Sequence, residues 1–313
     1  MWARIASSIS LLTLGAGFFA ISHALELRTR SERLPPNITV GAEDVIRIRA
    51  STDESKSTFV EWIGQTLIYK PGQTPSVAFN VVGMNVARAK KLEDGSYDIL
   101  AKEIQLYLDP KTNAILHTWT NPFTSENVNV IHVQNSPVYQ TIPTTTAYTA
   151  RSLPNNYYTF AFNIPLAYPN PLNPTNDPNS PFRPYQGSYQ ALYSAIESFA
   201  FTFPSSELAN RKLEGLPSSQ IYWTRTSPLL PWMNSPDTNA TLLFIADGNK
   251  VSRGWKGLSP ILRGVIEDTL PGYKEAPLNR TRPGGGVTSW SFFTQPDVFA
   301  AWKNGMEFPV PET

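Results

Sequence analysis

Two histidines carry most of the acid/base chemistry open to this chain. His117 and His132 flank the turn Asn121-Pro122-Phe123-Thr124-Ser125, on segments where apolar residues recur with a period of two. If opposite residue numbers in that pairing sum to an odd value near 247, both imidazoles share one face as diagonal neighbours, roughly 7 Å apart. An even sum separates them. Imidazole titrates close to neutral pH, so a histidine on the inner face of a sheet is a candidate general base. A core histidine satisfied by backbone or tyrosine hydroxyls is the competing account of each.

Arg88 shares a face with Met84 and Val86 by the same period. There it either clamps an anion or carbonyl oxygen or pairs internally with an acid such as Glu103. His117, His132 and Arg88 form the candidate catalytic set. Tyr107, Trp119, Asn121 and Trp232 are the candidate substrate-binding residues, since Trp119 and Trp232 neighbour loops rich in Pro and Asn where a pocket wall can form. Most of the seven tryptophans beyond Trp2 must nonetheless be core.

Other chemistries lack their residues. A metal would need a third ligand, and Glu126, Asp109 and Glu103 are available, but no His-x-His or His-Glu-x-x-His spacing exists, so no metal is expected. Asp109 precedes Pro110 and reads first as a turn residue. No serine sits in a Gly-x-Ser-x-Gly elbow. Gly284-Gly285-Gly286 follows Pro283 without a strand-to-helix context, so it is a loop and not a phosphate cradle. No cofactor is implied. The chain has no Cys, which removes disulfides, thiolate nucleophiles and cysteine-held metals. With 26 Lys plus Arg against 25 Asp plus Glu in 313 residues, it has no basic surplus for nucleic acid.

The elements that position these residues are mainly strands. From Phe59 to His132 the period is two, with turn signals at Asp94-Gly95, Asp109 to Asn113, and Asn121 to Ser125, so an antiparallel meander is expected. Asn135 to Arg183, with Tyr168-Pro169-Asn170-Pro171-Leu172-Asn173-Pro174, reads as a structured long loop. Tyr189 to Phe203 reads as helix and then strand. Ala240 to Trp255 reads as a hairpin around Asp247-Gly248-Asn249. Two helices close the chain: one capped by Ser259 with Pro260 in its first turn and stopped at Pro271, the other capped by Thr294 and stopped at Gly305. The sum is a mainly β domain, an antiparallel curved sheet or barrel-like cup with a few short peripheral helices.

Residues 1–24 read as a signal peptide. Arg4 is the only charge before an apolar run from Ile9 to Ile21, too short for the roughly 20 residues of a membrane span, and Ser22-His23-Ala24 offers a cleavage site. Residues 25–57 then read as an irregular N-terminal arm, and 58–313 as one β-rich domain. Sequons at Asn37, Asn239 and Asn279 agree with export and glycosylation. A secreted or secretory-lumen protein with no stable membrane span follows; its oligomeric state is left open.

Several blocks taken in order resemble an uncharacterised family, domain of unknown function 1838: Leu106-Tyr107-Leu108-Asp109-Pro110-Lys111-Thr112, Trp119-Thr120-Asn121-Pro122-Phe123-Thr124, and His132-Val133-Gln134-Asn135-Ser136-Pro137-Val138. Trp62-Ile63-Gly64, Gly83-Met84-Asn85-Val86-Ala87-Arg88, Pro231-Trp232-Met233 and Pro271-Gly272-Tyr273 fit as well. Ser136 stands where the resemblance leads one to expect Asp. The resemblance implies no activity. A cup lined by Trp, Tyr and Phe suits a small, largely apolar metabolite, transformed by proton transfer in a cyclase, isomerase or hydrolase of secondary metabolism without a redox cofactor. The alternatives are a non-catalytic binding protein of the same shape and an extracellular glycan-contacting protein. Both histidines on an inner wall would favour the enzyme, and both outside it would favour binding.

Overall fold

The computed structural model describes residues 35–186, 191–234, 239–280 and 288–309. The leader, Thr281 of the third sequon and the triple-glycine segment lie outside the described residues. The patterned stretch folds into long strands: β2 (Thr58–Tyr69), β3 (Ser76–Lys91) and β4 (Tyr97–Leu108), then the short β5 (Thr118–Thr120) and β6 (Asn127–Asn129). The expected turns hold. Gly95 takes φ +82° between β3 and β4, and the Asp109 carboxylate accepts from the backbone amides of Lys111 and Thr112 at 2.9 and 2.8 Å.

Four segments depart from the sequence-based expectation. Asn135 to Arg183 contains three strands, β7 (Val133–Ile142), β8 (Ala147–Leu153) and β9 (Tyr157–Pro169). Proline is tolerated because β7 is an edge strand, and because β8 pairs with β9 only as far as Thr159, leaving Pro165 with a single neighbour, β10. The segment after Tyr189 is strand first, β10 (Leu192–Pro204), followed by α2 (Ser205–Ala209); tertiary pairing with β9 and β11 (Gln220–Pro228) overrides the helical spacing. Asp247-Gly248-Asn249 is no turn but runs straight inside β12 (Thr241–Val251). Gly248 lies opposite Trp62, and a Cβ there would stand 3.3 Å from the Cβ of Trp62. Nor are residues 25–57 an irregular arm throughout: β1 (Ile38–Gly41) pairs with β8, and α1 (Ala42–Arg49) buries Val45, Ile46 and Ile48.

Among the described residues, ten strands form one antiparallel sheet, in the order β1-β8-β9-β10-β11-β12-β2-β3-β4-β7, curled into a half-barrel. Its outer face over β3 and β4 is covered by α3 (Pro260–Asp268), which packs Leu262 and Ile266 against Met84, Val86, Ile104 and Leu106. The inner face is filled from two ends. At one end α1 inserts Val45, Ile46 and Ile48 among Ala89, Tyr97, Ile99, Phe160, Phe201 and Phe203. Arg49, its last residue, donates to Gln140 of β7 at 2.6 Å, so the β1-α1 segment reaches from one edge strand of the half-barrel to the other. At the other end Trp232, α4 (Ser289–Phe293) and α5 (Pro296–Lys303) pack against Phe79, Tyr107, Tyr193 and Phe244. The α5 helix starts after Gln295, with Thr294 closing α4, and Gly305 follows it at φ +77°.

Candidate ligand cavity

Both faces of β4 are covered, and that decides what its alternation means. Ile104, Leu106 and Leu108 point outward into the layer beneath α3, while Ile99, Ala101, Glu103, Gln105 and Tyr107 point inward between the two plugs. The polar row of β4 therefore faces an interior space of about 440 Å³. Val60, Ala87, Ala101, Phe199, Ile221 and Trp223 supply apolar wall. Gly83, opposite Gln105, makes room for the Trp62 indole, since a Cβ on it would stand 2.4 Å from that ring. The Trp62 indole N–H then donates to Gln105 Oε1 at 3.0 Å.

Glu103 is the central polar group. Its partner across the ladder in β3, Asn85, donates to Oε1 at 3.0 Å, and its partner in β7, Asn135, also hydrogen-bonds its carboxyl. Burial raises its pKa, and the negative charge of Glu197 raises it further; the two amides and Arg49 act in the opposite direction without cancelling the rise. Glu197 itself is paired, accepting from Arg225 at 2.7 Å, while the same guanidinium donates to the Tyr193 hydroxyl at 2.6 Å and lies 5.4 Å from the Trp290 ring. At the α1 end, Arg49 stands over the Phe201 ring at 5.8 Å. Burial pulls its pKa down to about 10. Among the described residues the cavity thus holds one carboxyl displaced towards its neutral form, one closed Arg–Glu pair and one guanidinium bonded only to a neutral amide.

The residues singled out by sequence distribute differently. The β5–β6 register pairs Thr118 with Asn129 and Trp119 with Val128, an odd sum of 247. The His117 carbonyl extends that register by one bond, accepting from the Val130 amide at 3.0 Å, but β6 ends at Asn129 and His132 lies outside the pairing. The His117 side chain is 58% exposed, 3.6 Å from Glu307. His132 is buried, its Nδ1 accepting from the Tyr107 amide at 3.0 Å. Burial takes its pKa down to about 3, with His117 adding to the fall and the Leu116 backbone opposing it. It is a neutral core histidine, and neither imidazole lines the cavity. Arg88 also belongs elsewhere. It points outward with Met84 and Val86, donating to the Glu54 carbonyl at 2.6 Å, whereas Glu103 points inward, so parity forbids the pair between them.

Of the four candidate binding residues, Tyr107 lines the cavity. Trp232 and Trp119 are core, packed edge to face at 6.0 Å. Asn121 is fully buried and structural, donating to the carbonyls of Met233 and Asn234 and accepting from the Phe123 amide. The described residues contain no cluster of three metal-ligating side chains, and no described helix is long and apolar enough to cross a membrane. Asn37, Asn239 and Asn279 are all exposed.

Sequence reasoning passed over Asn85, Asn135, Glu197, Arg225 and Arg49 as site residues. A signal for the first was present: Asn85 and Glu103 interrupt the central, mainly apolar parts of their strands, and a polar row on a strand buried on both sides must face a cavity or a partner. Arg49 carried no such signal, because α1 was not expected. The family model described as "Protein of unknown function (DUF1838)" matches residues 55–297, which take in every strand of the cavity wall from β2 to β12. A search of the curated proteins finds no match.

Proposed function

The chain belongs to the DUF1838 family of unknown function, and from that premise we propose that it binds a small, largely apolar molecule in the half-barrel and transforms it by proton transfer, with Glu103 as the catalytic acid/base. The observation that supports this reading is the setting of Glu103: half-buried on the wall of an aromatic-lined cavity, oriented by Asn85 and Asn135, without a cationic side chain within ion-pair distance among the described residues, and raised in pKa. Such a carboxyl is displaced towards its protonated form, and can give a proton to a ligand oxygen and as carboxylate take one back from a neighbouring atom. That exchange balances an isomerisation or cyclisation. Hydrolysis would need a water molecule in addition. The role first considered for His117, His132 and Arg88 passes to Glu103.

A binding protein without turnover is the second reading, favoured by the position of both histidines outside the cavity and by the closed Arg225–Glu197 pair. Export of a glycosylated protein acting in secondary metabolism completes the proposal. The exposure of Asn37, Asn239 and Asn279 supports it. N-terminal sequencing of the native protein is expected to begin at Leu25; a retained Met1 would refute export by cleavage.

The test of function is deletion of the gene, metabolite profiling, and return of purified protein to the accumulated compound. Wild type is expected to convert it, and Glu103→Gln to bind it with turnover reduced about 100-fold or more, the scale of a lost general acid. Binding without conversion by wild type would leave the second reading standing and remove the first.

A further inference from the structure

Arg49 presents an electrostatic demand that the protein does not meet. It ends α1 at the floor of the cavity, surrounded by groups from four strands: Gln140 of β7, Phe201 of β10, Tyr148 of β8 and Glu103 of β4. Among the described residues no carboxylate lies within 4 Å of its guanidinium, and of its five N–H donors only one is engaged, by the neutral Gln140 amide. Glu103 is near enough to be felt but is held back by Asn85 and Asn135. The contrast with the other deep arginines is direct. Arg47 is satisfied by Asp44 and four backbone carbonyls, and Arg225 by Glu197 and Tyr193.

Arg49 is half-buried and lines the cavity with one neutral hydrogen-bond partner, so its remaining N–H groups are accessible from the cavity, and its planar fork matches a carboxylate. We propose that the ligand of this cavity is an apolar molecule carrying one acidic group, a carboxylate or its equivalent, and that Arg49 binds that group at the α1 end while the apolar remainder lies along Phe199, Ile221 and Trp223. The inference rests on the reading of the half-barrel as a ligand site. It is compatible with Glu103 only in that residue's neutral form, because an ionised Glu103 would repel the same anion. Substrate charge and the protonation state of Glu103 are therefore linked.

The test uses two fluorescent probes with one skeleton, 8-anilinonaphthalene-1-sulfonate and the uncharged N-phenyl-1-naphthylamine, together with decanoate and decanol as competitors. Wild type is expected to bind the sulfonate at least about 10-fold more tightly than the neutral amine, the scale of one charge-assisted contact, and to release it to decanoate before decanol. Arg49→Met should erase that preference while leaving the neutral probe within about two-fold, by the same conversion. Arg49→Lys, which keeps the charge without the fork, should keep part of it and serves if the methionine variant does not fold. Equal binding of charged and neutral probes by wild type, or an undiminished preference in Arg49→Met, would overturn the anion inference and leave the cavity reading intact. Failure of all four compounds to bind would overturn the cavity reading itself.

Discussion

Lys250 ties the floor of the half-barrel to β12, and its titration gives a quantitative test of how that end is built. The ammonium nitrogen lies 2.8 Å from the carbonyls of both Arg47 and Ala50, at the C-terminal end of α1. Burial pulls its pKa down to about 7 from 10.5; Glu207 opposes this and Arg47 adds to it. A neutral amine keeps two N–H donors, enough for the two carbonyls, so the contacts survive loss of the proton. The sign follows from proton counting. Below about pH 7 both folded and unfolded chains hold this proton, and between about 7 and 10.5 the unfolded chain holds more, so stability rises with pH across that window.

One proton corresponds to about 1.4 kcal/mol per pH unit, giving roughly 2 to 3 kcal/mol between pH 7.5 and 9.5. Burial raises Tyr107 and Tyr193, so their unfolded-state ionisation towards pH 10 lowers stability, a contribution that is common to wild type and variant and cancels in their difference. Urea unfolding followed by tryptophan fluorescence, at intervals of one pH unit, measures the effect as the difference between wild type and Lys250→Met. That difference should widen in favour of wild type as pH rises. Parallel curves would mean that the ammonium stays charged between its two carbonyls, and that the helix end compensates for its burial.

Two further outcomes follow from the packing. Gly83→Val would drive a side chain into the Trp62 indole, break its bond to Gln105 and destabilise the protein by about 1–3 kcal/mol, the usual cost of overpacking; a chemical denaturation midpoint unchanged from wild type would refute the close approach. His132, with a folded pKa of about 3, stays neutral as the unfolded chain gains a proton, so wild type should lose about 1.4 kcal/mol per pH unit from its titration as pH falls below 6.5. His132→Phe should lack that component while losing about 1–3 kcal/mol at pH 7.5 from the orphaned Tyr107 amide; identical acid profiles in the two proteins would refute the buried neutral state.

The local alternation of β2, β3 and β4 was legible because sheet pairing follows residues only a turn away. The β5–β6 register was legible for the same reason. What failed depended on distant partners. Residues 192–204 look helical until β9 and β11 are placed on either side. Asp247-Gly248-Asn249 looks like a turn until Trp62 is seen to need the space beside Gly248. The segment 38–49 looks irregular because its apolar face is meaningful only inside a curled sheet that starts later in the chain.

The same dependence explains why the candidate site moved from histidines to a carboxyl. Residue type drew attention to imidazole, since it alone titrates near neutrality without help. A curled sheet plugged at both ends changes that ranking. Its interior partly desolvates Glu103 and raises the carboxyl's pKa, while the fuller burial of His132 lowers the imidazole's to about 3. Desolvation therefore shifts both side chains towards their neutral forms, which for the carboxyl means holding a proton and for the imidazole means losing one. Arg49 completes the logic: the partial desolvation that favours a neutral Glu103 also lowers the pKa of a guanidinium with one neutral partner, so an anionic ligand would satisfy Arg49 and at the same time favour the proton on Glu103. Binding and acid catalysis would then be coupled through one electrostatic balance, with the ligand's own charge setting the catalyst's protonation state.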